Sequence, residues 1–309
     1  MHPAISVIFF TVVSGAGYGL MALVMLSMLF KIDGGLNHQQ VLVGGTLAMI
    51  LITIGLMSSS LHLANPKNAW RSMSRFRTSW LSREAVLAIS FYPMAALWLL
   101  QWYLDSSMNN IFTLVLTFLL FAGSIAVNFA TGMLYASLKT IPQWNTSLVP
   151  ANYIMLGLML GSLLLTLLRL YYGLPIEQLL IINLGLIATA GILKIMYYYW
   201  IGKPHGPSIN TATMFTRARV RLFDVGHTSG TFLTDEFGYQ MARFKLLLLR
   251  WVVYLAAFLL PGALVGYSLQ FNNLIVILAI AFIGVFVERW LFFAEARHVV
   301  TLYHGNQRV

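Results

Sequence analysis

The sequence predicts an all-α fold, a polytopic membrane bundle of eight transmembrane helices, and three observations carry that prediction. The 309 residues are 59% hydrophobic and only 9% charged, where a soluble domain carries about 25% charged residues. Eight apolar runs each approach or exceed the ~20 residues that a helix needs to cross the hydrocarbon core. The Lys and Arg residues collect in alternate connections, as they do in polytopic membrane proteins.

The runs follow one another in order. The first, 5–30, is too long for the apolar stretch of a secretion signal and has no basic residue ahead of it, so a retained span is expected. Its Gly15, Gly17 and Gly19 allow close approach by a second helix, as does Gly157-x-x-x-Gly161 in the fifth run, 151–172. The second run, 41–63, closes on His62, and the third, 85–103, opens behind Glu84. The fourth is 111–135, and the sixth is 177–200. The sixth ends in Tyr197, Tyr198, Tyr199 and Trp200, which together with Trp98, Trp102 and Tyr103 read as interfacial aromatic belts. Gly202 to Ser208 (GKPHGPS) then breaks the helix, and runs seven and eight cover 247–269 and 273–294. A single domain over 1–309 is expected, with long connections at 64–84, 136–150 and 201–246.

Charge orients the bundle. Fourteen Lys/Arg lie in connections two, four and six and in the C-terminal tail, against Lys31 alone in the other connections. The positive-inside bias makes the fourteen-charge side cytoplasmic and, with an even number of spans, puts both termini there. A net charge of +10 placed between helices suits anionic lipid and a protein partner rather than nucleic acid. The chain has no cysteine, which excludes disulfides and iron–sulfur ligation. Of His2, His38, His62, His205, His227, His298 and His304, only His62 falls in a span, so a bis-histidine haem is not expected. Glu84, Glu177, Glu288 and Glu295 read as near span ends and Asp105 as lying in a connection, which disfavours a dedicated ion pump. Lys194 and Arg169 are expected to snorkel toward the headgroups.

The stretch from Ser59 to Glu84 concentrates the chemistry. A quinone site needs an apolar slot, hydrogen bonds to two oxygens and a group that exchanges protons with water. His62, with an ordinary pKa of about 6.5, suits the proton exchange. Glu84 opens the next span at a similar depth and could hydrogen-bond His62 or pass the proton on. Between them lie Lys67, Arg71, Arg75, Arg77 and Arg83. If that segment is α-helical, Trp70, Arg71 and Arg75 share a face able to dock an acidic partner. The plainer alternatives are a helix-capping His62 and a connector that enforces topology.

Four stretches are similar to the DmsC-type anchor family of dimethyl sulfoxide reductase-like complexes: Leu61 to Glu84, Tyr135 to Trp144 (YASLKTIPQW), Phe237 to Trp251 (FGYQMARFKLLLLRW) and Glu288 to Ala296 (ERWLFFAEA). With eight similarly placed spans, the resemblance covers nearly the whole chain. The opening MHPAISVIFFTVVSGAGYGL resembles a sulfite-oxidising, quinone-linked branch. The resemblance implies a molybdenum bis-pterin catalytic subunit and a four-cluster iron–sulfur subunit as partners. This protein would be their anchor in the bacterial inner membrane, exchanging electrons with ubiquinone or menaquinone without acting on the main substrate itself. The resemblance places the quinone-site histidine on His62 and the acid of span three on Glu84, with Trp70, Arg71 and Arg77 matching its basic, aromatic connector; Lys67, Arg75 and Arg83 of the same connector are expected to face the partner. Quinol oxidation coupled to dimethyl sulfoxide reduction, a tether without a quinone, and a secondary transporter without redox partners are the competing readings.

Overall fold

The computed structural model describes residues 3–61, 65–104, 110–203, 206–224, 230–231, 237–239, 241–267 and 270–309. Its helices are α1 (Ile5–Phe30), α2 (His38–Ser60), α3 (Trp80–Leu104), α4 (Ile111–Ala136), α5 (Leu148–Tyr171), α6 (Glu177–Ile201), a short α7 (Ile209–Thr213), α8 (Arg243–Tyr267) and α9 (Phe271–Ala294). All but α7 are long and apolar enough to cross a membrane. Helices α2, α3, α5 and α8 begin three to five residues before their apolar runs. An apolar run marks hydrocarbon, whereas a helix extends into the interface, where polar groups can cap it. At α2, for example, the Asn37 side chain accepts from Gln40 N at 3.0 Å while the Gln40 side chain accepts from Asn37 N at 2.9 Å. Extending α3 back to Trp80 brings Glu84 inside that helix instead of at its mouth.

α1 forms the axis. Most of its apolar stretch is buried (83%), as is most of α5's (67%), against 44% or less in every other span. α1 packs on α2, α4, α5 and α9, while α6 lies against α5 and α8. The crossing of α1 and α5 is made by the glycines at fourfold spacing: a Cβ on Gly19 would fall on the Gly157 carbonyl, and one on Gly161 on the backbone of Gly19.

Several predicted surface residues point inward. Trp98, Trp102, Tyr197 and Tyr198 are buried, whereas Tyr103 and Tyr199 are exposed. Of these six, the latter two behave as belt residues and the others do not, because one helix offers a core face and a lipid face at the same depth. Trp98 Nε1 instead donates to Thr117 Oγ1 at 3.0 Å. Arg169 does not snorkel either. It is buried at the end of α5 and donates to the carbonyls of Asp33 (2.7 Å), Gly35 (2.8 Å) and Pro175 (2.9 Å). Asp33 then caps α6, accepting from Gln178 N at 2.7 Å and Leu179 N at 3.0 Å. One guanidinium thus ties together the first and fifth connections. Arg169→Ala removes the donor of three part-buried bonds at once and should cost about 1–3 kcal/mol. Thermal unfolding of the purified protein measures this, and an unchanged Tm would show that the two loops hold without it.

At the other end, connection four, the start of connection six and the C-terminal segment meet. Val299 N donates to Thr140 O at 3.0 Å, Arg297 N to Gln143 Oε1 at 3.1 Å and Ile209 N to Gln307 O at 3.2 Å. Trp144 is drawn under the bundle, stacking on Phe292 at 5.2 Å and donating from Nε1 to Phe292 O at 3.0 Å.

Candidate functional site

Glu84 lies one turn into α3, buried, with Thr131 of α4 donating to Oε1 at 2.7 Å. The same hydroxyl is 3.0 Å from Val127 O. A hydroxyl has one hydrogen and two lone pairs. Thr131 can therefore donate to an ionised Glu84, or accept from a protonated one while donating to Val127. Both states of the acid are accommodated without moving a heavy atom. Around it, Tyr18 of α1, Tyr135 of α4 and Tyr153 of α5 lie within electrostatic reach of the carboxyl. The Tyr18 hydroxyl is buried without a hydrogen-bond partner among the described residues. A carboxyl placed this way, at the end of a span and turned into the protein, is equipped to hold and hand on a proton.

His62 lies outside the described residues. The connector that follows is a 3₁₀ segment, Pro66–Arg75, rather than an α-helix. With three residues per turn, Lys67 eclipses Trp70, and Arg71 and Arg75 stand about 120° apart instead of sharing a face. Lys67, Trp70, Arg71, Arg75 and Arg77 are all exposed. The Arg71 guanidinium sits 5.7 Å from the Trp70 ring centroid. Arg83 is turned back on its own segment: Nε donates to Phe76 O at 3.1 Å and Nη2 to Arg77 O at 2.8 Å, with the guanidinium 4.3 Å above the Trp80 ring. It fastens the connector to the start of α3, leaving the other four cations outward.

A second buried cluster departs from expectation. Lys194 of α6, read from the sequence as snorkelling, is ion-paired with Glu288 of α9, and both are fully buried. Arg289 Nε stands 2.9 Å from Glu288 Oε2, and its guanidinium lies 3.9 Å from the Tyr153 ring. Glu288 is thus an intramembrane carboxylate between two cations, not a span-end acid. The signal was present in the sequence as Lys194 and the pair Glu288–Arg289, each more than a turn inside an apolar run. Such charges are costly in hydrocarbon and persist when they pair.

A cavity of about 540 Å³ opens between the ends of α4 and α5, lined by Phe129, Met133, Asn145, Pro150 and Ile154 among others. Phe129 and Met133 are each two residues from Thr131, roughly 200° around α4. The cavity is therefore on the face of α4 opposite Glu84 and is not the Glu84 site.

The family model for the DMSO reductase anchor subunit (DmsC) matches residues 1–294. The protein is 32% identical to a sulfite dehydrogenase subunit of Allochromatium vinosum, over 99% of each sequence. It is 29% identical to a component of the anaerobic dimethyl sulfoxide reductase of Escherichia coli, over 48% of this sequence and 52% of that one.

Proposed function

Because the protein belongs to the DMSO reductase anchor subunit (DmsC) family, we propose that it anchors a molybdenum subunit and a four-cluster iron–sulfur subunit to the bacterial inner membrane and links them to the quinone pool. The observation that carries this reading is the buried Glu84 carboxyl, held by Thr131 directly behind the exposed basic connector. The donor set suits a quinone: an acid able to exchange a proton, a hydroxyl that serves either protonation state, and a nearby tyrosine hydroxyl. A bound quinone supplies two-electron, two-proton acceptor chemistry. Glu84, with His62 just after α2 in the sequence, holds the proton on the side where the partner docks. Thr131 keeps the carboxyl oriented through each exchange. Lys67, Arg71, Arg75 and Arg77 offer the docking partner a basic surface that is not neutralised by any ion pair among the described residues. The protein has no cysteine to ligate a cluster, so electrons come from a cluster in the partner. Full-length similarity to a sulfite dehydrogenase subunit favours sulfite oxidation with quinone reduction.

Gentle solubilisation from the native membrane, identification of the accompanying proteins and two assays test the reading. A molybdenum subunit, an iron–sulfur subunit and sulfite-dependent quinone reduction are expected. In the double variant Arg71→Glu/Arg75→Glu the two partners should be lost from the preparation. Quinol-linked reduction of dimethyl sulfoxide would reverse the direction, and a protein purified without redox partners would overturn the assignment.

A further inference from the structure

The Lys194–Glu288–Arg289 cluster joins a longer row of buried polar groups running across the bundle. At one end Glu295, just beyond α9, accepts from Arg250 Nε of α8 at 2.8 Å, and Arg250 is partly exposed. Its other oxygen, Oε2, is buried without a hydrogen-bond partner among the described residues. Inward from it stands Lys194, in electrostatic reach of Glu295, paired with Glu288 and packed 4.2 Å and 4.7 Å over the rings of Tyr197 and Tyr198. Then come Glu288, Arg289 and Tyr153. Tyr153 stacks on Tyr135 at 5.7 Å. Tyr135 is one helical turn from Thr131, which holds Glu84. A cavity of about 10 Å³ beside Tyr153 and Arg289, walled by Thr11, Gly15 and Gly157 among others, has room for about one water molecule.

We propose that this row is a lateral proton path joining Glu295, reached from the surface beside the partly exposed Arg250, to Glu84. It rests on the reading of Glu84 as the quinone-side acid. Docking of the iron–sulfur partner over the connector would cover the direct approach to Glu84, and the row reaches the surface elsewhere, at α8 and the end of α9. Carboxyls stand at both ends and at the midpoint, with an amine and phenolic hydroxyls between them. Each transfer breaks an O–H or N–H bond behind the proton and forms one ahead. One proton enters at Glu295 for each that leaves Glu84, and the electrons arrive separately from the partner's cluster. Arg289 keeps its proton throughout and holds Glu288 in place. Glu288 is faced by Lys194, Tyr197 and Tyr198 from α6, by Tyr153 from α5 and by Arg289 and Glu295 of its own segment. Burial holds the Glu295 carboxyl above the usual carboxylate range, with Arg250 partly offsetting it, so Glu295 keeps its proton to higher pH than a solvated acid.

The test uses the intact complex with Glu84→Gln, Tyr153→Phe, Glu288→Gln and the conservative Glu288→Asp, each checked for its full set of subunits. Quinone-linked turnover is followed in light and heavy water across neutral pH, beside electron delivery from the partner's substrate to a soluble dye. The protonated-carboxyl infrared band is recorded without turnover. Tyr153→Phe and Glu288→Gln should each slow quinone-linked turnover about tenfold and enlarge the solvent isotope effect, with dye reduction unchanged. Glu288→Gln should also move the loss of the protonated Glu295 band to lower pH, because the Glu288 carboxylate helps hold that proton, and Glu288→Asp should restore it. Native turnover and isotope effect in Tyr153→Phe and Glu288→Gln, with Glu84→Gln inactive, would overturn the path and leave the cluster as an ion-pair scaffold. Should Glu288→Gln fail to assemble, Tyr153→Phe decides. Native turnover in Glu84→Gln would instead sink the quinone reading beneath the path.

Discussion

Replacing Glu84 with Gln is expected to lower quinone-linked turnover by about a hundredfold or more while dye-linked activity of the partner subunits stays near native. Gln keeps the shape of the side chain and an oxygen able to accept from Thr131 Oγ1 but exchanges no proton. A loss confined to quinone-linked turnover therefore reports on chemistry and not on folding. Thr131→Val supplies the complementary control. It keeps the carboxyl and removes the hydroxyl that stabilises either protonation state, so a smaller loss is expected, with an altered pH profile. His62→Ala should match Glu84→Gln if the two act as one unit, because groups in a shared relay do not contribute additively. Full quinone activity in both Glu84→Gln and His62→Ala would remove the site from this end of the bundle.

The largest structural effect is expected at the crossing of α1 and α5. Gly19→Leu places a side chain where the Gly157 carbonyl now sits, and Gly161→Leu does the same against Gly19. Within a membrane, helices associate through close packing rather than expulsion of water. Separating α1 from α5 therefore disrupts the most buried pair of helices in the protein. Neither variant should accumulate as a folded protein, as read by thermal unfolding and by recovery from solubilised membranes. Gly185→Leu is the control: a Cβ at Gly185 meets nothing within 4 Å, and the variant should behave as native. Comparable yields of Gly19→Leu and Gly185→Leu would show that the crossing is not what holds the bundle.

By itself the sequence determined the number of spans, their order and the side of the bundle on which the basic connections lie, because length and charge in a membrane segment answer to the hydrocarbon slab alone. It also marked Gly19, Gly157 and Gly161 as packing residues and Glu84 as an acid to follow. What it did not supply was facing. A span in contact with lipid on one side and protein on the other is apolar all round, so no hydrophobic stripe distinguishes the two directions. For that reason Trp98 and Tyr197 looked like belt residues, and Lys194 and Arg169 like snorkelling cations. Only the tertiary structure turned Lys194 onto Glu288, brought Arg289 over Tyr153, and set Arg169 among the carbonyls of two distant loops. The reason is pairing: a charge buried in hydrocarbon is tolerated where a partner from another helix meets it, and that partner, 94 residues away for Lys194, is chosen by the packing of the bundle.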